Sequence, residues 1–408
     1  MHQTSQHQRK PSKRRGIATL QLIVSAALVL LIFTLVIDIG FINARLAALQ
    51  TLTDAAALAG ATALVENAPA AEFNPLGAQS VAYLEADSET GLAYDLAMSE
   101  ARFAAAEVAA LNPVSGYTVQ LENQTDGTVT SGWVEQVQRG RSNAFEFRAT
   151  GAVNAIEVET RLPLQGLSIP TLSLLTAVGQ KQLTAAAVAV WDQKIIGFRP
   201  YGTSPVPALP VMALIGPWDN LAADTTTTAG ADAGSIPLEL LPGGLFELTI
   251  GPVGPASAAS RGTASFERVP VPGVGLQFGP EVSSTAFNEQ IVEGLDREAL
   301  ADLEGAIRID LGERIPLLLG PAAAQLGTSD SAFSSLIGEQ RVLLTGHVAP
   351  DALTAIPTGF MAVVIVNVQV SGTEIRLKLN PVRMQTDTAI ISDAAWRNPW
   401  VGKVVLVR

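Results

Sequence analysis

Histidine is the usual general base of enzymes, and this chain carries three: His2, His7 and His347. The first two lie in a basic amino-terminal tail, so His347, in Leu343-Leu344-Thr345-Gly346-His347-Val348, is the one candidate in the body of the chain. A single His beside a Gly at a strand end reads as an exposed loop residue. There is no Gly-x-Ser-x-Gly elbow, no phosphate loop and no His-Glu-x-x-His helix. Gly273-Val274-Gly275 with Gly279 falls short of the dinucleotide fingerprint, and its neighbouring prolines point to a loop. The carboxylate pairs Asp302/Glu304 and Asp224/Asp232 stand without an accompanying motif and read as solvated charge, and the calcium-loop pattern is missing. With no cysteine the chain has no disulfide, thiolate metal site or thiol nucleophile. The expectation is a non-enzymatic protein without metal or cofactor.

What the sequence does carry is a 21-residue uncharged run, 17–37, directly behind Arg9, Lys10, Lys13, Arg14 and Arg15. At about 1.5 Å of rise per residue, such a helix crosses the roughly 30 Å hydrocarbon core of a bilayer. Residues 1–15 hold five positive charges and no Asp or Glu, which places them on the cytoplasmic side and the bulk of the chain outside. A cleaved signal peptide is the competing account, but its apolar core is normally about 7–15 residues, and here the pattern stays helical beyond the run. Gly16-Ile17-Ala18 is a poor continuation for twin-arginine export after Arg14-Arg15.

The net charge of −12 conceals an asymmetry. Setting the five tail residues aside leaves 21 Lys and Arg against 38 Asp and Glu, about −17 for the remainder. Such a surface does not neutralise phosphates, so nucleic acid is excluded as a partner.

Behind the run, Ile42, Leu46, Leu49, Ala56 and Leu64 fall on one helical stripe, and Asn43, Gln50 and Asp54 on another. The helix is therefore expected to continue as an amphipathic stem over 38–67, up to Asn67-Ala68-Pro69. Arg14-Arg15-Gly16-Ile17-Ala18, the apolar run, Asp38-Ile39-Gly40, and Gln50 followed by Thr53-Asp54-Ala55-Ala56-Ala57-Leu58-Ala59-Gly60-Ala61 resemble the amino-terminal segment of TadE/TadG-like pilus-assembly proteins. The resemblance is dense over residues 14–64 and rests on Asp38, Gly40, Gln50, Asp54 and Gly60. It implies an inner-membrane protein of the bacterial envelope that anchors and assembles components of a Tad/Flp-type pilus or secretion apparatus. Its partners would be the bilayer through 17–37 and other components of that apparatus, and a homo-oligomer through the stem helix is an arrangement it permits.

The resemblance also implies a processing site. Prepilins and TadE-like pseudopilins are cut after a Gly behind basic residues, with Glu fifth in the mature chain. Gly16 would be that Gly, Ile17 the first mature residue and Gln21 the fifth. Gln cannot pair as a carboxylate with a neighbour's new amino terminus, so an uncleaved anchor is expected. A minor pseudopilin cleaved after Gly16 is one alternative, and a membrane-anchored carbohydrate-binding module or hydrolase another. TadG-like chains often carry a von Willebrand A domain, whose metal site needs Asp-x-Ser-x-Ser. The nearest string, Asp126-Gly127-Thr128-Val129-Thr130, sits where a hairpin turn is expected.

Along the rest of the chain, 78–111 is helix-forming with an interruption at 87–91, and Leu96, Phe103, Ala106 and Ala110 space as its inner face. Strands are expected at 117–121 and 128–130 around Asp126-Gly127, at 152–162, and in the Ala-rich stretch 184–190. The five prolines of 200–217 and the Thr-rich 222–234 read as linker and loop. A second strand-rich unit, 236–408, includes an acidic helix at 287–303, a hairpin through Ser371-Gly372 and a closing strand from Lys403. The fold class is α+β: one long transmembrane and stem helix, then an α+β unit (68–199), a linker (200–235) and a β-rich unit (236–408), predominantly antiparallel and extracytoplasmic.

Overall fold

The computed structural model describes residues 14–67, 88–122, 124–134, 137, 145–148, 153–163, 182–214, 245–250, 271–279, 283–318, 329–351, 353–371, 374–392, 395, 398 and 400–407. The basic tail 1–13, the start of the expected helix at 78–87, the loop 222–234 and the pair Asp224/Asp232 lie outside them.

No proline occurs between Pro11 and Pro69, and nothing breaks the helix in that interval. α1 runs without interruption over Arg14–Asn67, 54 residues, about 80 Å long. It is the one helix among the described residues long and apolar enough to cross a membrane. Its two halves differ: Leu20 through Ile37 leave their large side chains exposed, whereas Leu49, Leu52, Ala56, Ala57, Ala61 and Leu64 are buried. Each Leu so buried stabilises the packing by roughly 1.5–3 kcal/mol.

The second half lies with α2 (Ser88–Leu111) on one face of a six-stranded sheet. That sheet comprises β1 (Gly127–Trp133), β2 (Glu146–Phe147), β3 (Ala155–Pro163), β4 (Gln182–Asp192), β14 (Met384–Gln385) and β16 (Val401–Val407), in the order β14-β16-β4-β3-β1-β2. β3 alternates cleanly: Ile156, Val158, Thr160 and Leu162 turn inward, while Glu157, Glu159 and Arg161 are half-buried, the last two joined by a 3.1 Å ion pair. On β4, Ala185, Ala187 and Ala189 face the helices, and their small size lets α1 come close. The opposite face is covered by Val134, Val137, Ala155, Val190 and Val407 with Phe145.

β3 and β4 pair antiparallel from Ala155↔Val190 to Pro163↔Gln182, as expected for the two alternating stretches. Residues 117–121 form no ladder strand. They make a loop built on the buried Asp126, whose carboxylate accepts from the Tyr117 hydroxyl (2.9 Å) and the Gln120 N–H (3.0 Å).

Between β4 and β16 the chain builds a closed barrel. β6 (Ala208–Leu214), β7 (Phe246–Ile250), β8 (Val271–Gly275), β11 (Gln340–Val348), β12 (Thr354–Ser371) and β13 (Glu374–Pro381) pair in the ring β12-β11-β6-β8-β7-β13-β12. β12 closes it with 18 residues, pairing β11 over 355–364 and β13 over 363–371. Ser371 opposite Glu374 gives the expected hairpin. The ring mixes antiparallel pairs with the parallel pairs β6–β11 and β7–β8. Register puts Phe246, Leu248, Val211, Leu343, Met361 and Leu377 on its inner face, all 2 % exposed or less. A short sheet of β5 (Ile195–Phe198), β9 (Ile307–Arg308) and β15 (Ala389–Ile391), in the order β15-β5-β9, lies beside it. β10 (Ile315–Pro316) adds to β12, and the short helices α3 (Ser284–Glu293) and α4 (Asp330–Ser334) complete the unit.

Besides the strand expected at 117–121 and the interruption expected at 87–91, where α2 is already helical from Ser88, four expectations change. The stretch 200–217 is not only linker, because β6 within it is a buried barrel strand. Pro210 is accommodated where the β6–β11 register shifts, and its carbonyl accepts from the Leu276 N–H. Gly273 and Gly275 lie in β8 rather than in a loop, with Gly273 pressed against the Leu248 side chain. The acidic helix stops at Glu293, because Gly294 adopts φ +97° against the Val206 carbonyl, and only a 3-10 turn follows at Ala301–Leu303. Finally, the closing strand does pair, but in the first sheet: β16 runs antiparallel to β4, Lys403↔Asp192 to Val407↔Val188. The barrel is thus inserted between two strands of the stem-bearing sheet.

Candidate functional site

The features that set this chain apart converge on α1. At its start, Gly16 and Ile17 lie in the first turns of the helix. Gln21 follows with its side chain exposed. Ser25 and Thr34 return their hydroxyls to the carbonyls of Gln21 and Leu30, each at 2.8 Å, and so carry no unmet donor into the apolar surface.

Asp38 marks where the helix meets the body: it is only 2 % exposed, between the exposed Ile37 and Ile39. Its Oδ2, and Nη1 of Arg45 two turns on, are buried without a hydrogen-bond partner. Gly40 faces open space. One stem stripe is largely the inner face, since Leu49, Ala56 and Leu64 are buried and Ile42 packs against them, although Leu46 stays 39 % exposed.

The second stripe makes the polar seam. Gln50 Nε2 donates to Asp54 Oδ1 (2.7 Å) and to the Ala186 carbonyl of β4 (3.2 Å). Three residues beyond Gln50, the buried Thr53 hydroxyl donates to the Leu49 carbonyl (2.7 Å) and meets the Thr160 hydroxyl of β3 at 2.5 Å. Gly60 then lets α2 approach: a Cβ there would lie 3.0 Å from the Ala101 carbonyl, 3.1 Å from Ile156 Cγ2 and 3.2 Å from Ala105 Cβ. The inner face of α2 is therefore Ala97, Met98, Ala101, Ala105, Ala106 and Ala109; of the expected face only Ala106 turns inward, and Leu96 and Phe103 are 61 % and 58 % exposed. Close helix contact at Gly60 requires small residues opposite, and the alanines supply them. Thr53, Thr160 and the alanine ridge were not singled out in the sequence; Ala97, Ala101, Ala105 and Ala109 at spacing four are the signal that could have found the ridge.

The other residues considered for chemistry stay apart from this seam. His347 is exposed on β11, opposite Ile356. Asp302 and Glu304 are exposed around the 3-10 turn. Besides Asp310, which the Arg308 guanidinium holds below the usual carboxylate range, two carboxylates of the barrel unit have shifted pKa values. The Leu353 N–H (2.9 Å), the Thr354 hydroxyl (2.8 Å) and the Thr354 N–H (3.0 Å) hold Asp351 below the usual carboxylate range. Burial raises Glu313, although its Oε2 accepts from the Arg308 N–H at 2.9 Å. The first arrangement ties down a turn; the second holds a carboxylate against the backbone of β9.

Fold and site together define an α+β protein carried on one long helix, apolar and exposed in its first half and locked to a sheet in its second. Comparison with family models, curated proteins and solved structures finds no match.

Proposed function

We propose that the chain is a non-enzymatic, TadE/TadG-like single-pass protein of the bacterial inner membrane. In this reading the amino terminus is cytoplasmic and the bulk of the chain extracytoplasmic. It anchors and assembles components of a Tad/Flp-type pilus or secretion apparatus. The observation that carries the reading is the continuity of α1: one helix holds an exposed apolar length sufficient for a bilayer and, without a break, a stem bonded to the body through Gln50, Thr53 and Gly60. A hinge-free connection of this kind fixes the body relative to the membrane, as an anchor that must present partners in register requires. The basic residues before the helix support the orientation.

Amino-terminal sequencing of the membrane-extracted protein tests the static anchor against the fibre subunit. The anchor predicts a chain that retains its basic tail. A chain beginning at Ile17 would overturn it in favour of a processed pseudopilin.

A further inference from the structure

The exposed half of α1 is apolar on every side, yet one line along it has a regular heptad spacing. Gln21, Ser25, Leu28, Ile32, Leu35, Ile39, Ile42, Leu46 and Leu49 follow one another at intervals of four and three. From Leu28 onward every member is Leu or Ile, the side chains that interlock in a two-helix seam. Leu28, Ile32, Leu35 and Ile39 are 57, 52, 45 and 48 % exposed. The body covers this line only beyond Ile39: Ile42 packs on the core and Leu49 is buried, while Gln21 to Ile39 stay accessible.

Gln21 heads the line. Its amide carries donors and an acceptor, and among the described residues it makes no side-chain hydrogen bond, unlike Ser25 and Thr34. In hydrocarbon an amide gains most from a partner on another helix. A single copy can only reach back toward the headgroups, about 6 Å below by helical rise from Ile17. Because an amide both donates and accepts, the same Gln on a second copy is a complete partner, and a heptad seam is complementary to itself in the same way.

We infer that two copies of this chain pair through the line from Gln21 to Ile39, with the two Gln21 amides hydrogen-bonded across a parallel, left-handed helix crossing. This rests on the membrane-spanning reading of α1. A polar residue at one core position of such a seam fixes register, so the amide pair sets the two stems level. The bodies pack on α1 only from Ile42 onward, beyond the end of the contact at Ile39.

The absence of cysteine makes the test direct. The full chain is reconstituted in phosphatidylethanolamine/phosphatidylglycerol vesicles with single substitutions on the line (Leu28→Cys, Ile32→Cys, Leu35→Cys) or off it (Leu30→Cys, Phe33→Cys). Vesicle flotation and oxidative cross-linking are read on the same samples. Pairing predicts flotation of every variant, covalent dimer at the on-line positions and several-fold less at the others. Adding Gln21→Leu should weaken cross-linking about three- to tenfold, the weight of an interhelical hydrogen bond in a bilayer, and Gln21→Asn should restore part of it. Flotation with equal cross-linking at all five positions overturns the seam and leaves the anchor standing. Unchanged cross-linking with Gln21→Leu overturns the amide pair. Failure to float overturns the membrane reading itself.

Discussion

The hydroxyls of Thr53 and Thr160 meet at 2.5 Å in the buried interface between α1 and β3. Thr53 gives its proton to the Leu49 carbonyl at 2.7 Å, so Thr160 is the donor in the pair, with the Ala185 carbonyl, 3.5 Å away, as its one other acceptor among the described residues. The stem helix is thereby bonded to the sheet by a side chain whose own satisfaction depends on the helix.

An asymmetry follows for substitutions of near-equal shape. Thr53→Val strands the buried Thr160 hydroxyl and should cost about 1–3 kcal/mol, whereas Thr160→Val leaves Thr53 still bonded to Leu49 and should cost less. The double variant should lose less than the sum of the two single losses in a double-mutant cycle read by thermal unfolding, because it leaves no hydroxyl stranded. Equal single costs that simply add would contradict the assigned donor.

The two helix glycines should behave oppositely. Gly40→Ala places a methyl in open space and should leave the body's Tm unchanged while favouring the helix by up to about 1 kcal/mol. Gly60→Leu drives a side chain into Ala101, Ala105 and Ile156 and should separate α2 from the stem, lowering Tm and exposing the α2 amides to hydrogen exchange. A Gly60→Leu protein with unchanged protection of 97–109 would refute the close contact.

Shortening the chain after Gly402 removes most of β16 but keeps Trp400 and Val401, which belong to the barrel core. The β4 amides that pair with 403–407 should then exchange rapidly, and the stem-bearing sheet should lose stability while barrel strands β11 and β12 keep their protection. Uniform loss across both units would mean that they unfold as one.

Much of this was legible in the sequence, for physical reasons. The long helix declares itself because a run without charge or proline has few alternatives, and β3 and β4 because period-two patterns survive wherever one face is buried. The inner face of α2 was misread because Leu96 and Phe103 look like core by size, while the structure uses alanines there to match Gly60. β6 and β8 were hidden because closure of the barrel buries β6 from Ala208 to Ala213 without alternation, and because Pro210 and Gly273 are loop residues in any local reading. Of the stem seam, Gln50, Asp54 and Gly60 were visible through the resemblance, but the Thr53–Thr160 bond joins residues 107 positions apart and no local pattern encodes it.

Acid should act on Asp351 and Glu313 in opposite senses. Asp351 is held below its ordinary value of 3.8, so its contribution is present above that value and is lost as the pH falls through the lower, folded-state pKa. Glu313 is raised above 4.5 by burial, so the folded state holds its proton more tightly and its contribution is lost as the pH rises through the folded-state pKa. The Tm deficit of Asp351→Asn should therefore shrink on acidification. That of Glu313→Gln should grow, being smallest at neutral pH, where the buried charge is least favourable. Parallel trends for the two variants would contradict these assignments.

The central claim, that residues 17–37 cross the membrane once and hold the body outside, is tested most directly by labelling intact cells with a membrane-impermeant maleimide. Single cysteines are placed at Ser5 in the tail and at Ser335, exposed on the barrel unit. In cells with a permeabilised outer membrane the account predicts labelling of Ser335→Cys, with Ser5→Cys labelled only after the inner membrane is lysed. Labelling of Ser5→Cys in unlysed cells, or recovery of the chain in the soluble fraction with both positions reactive, would contradict it.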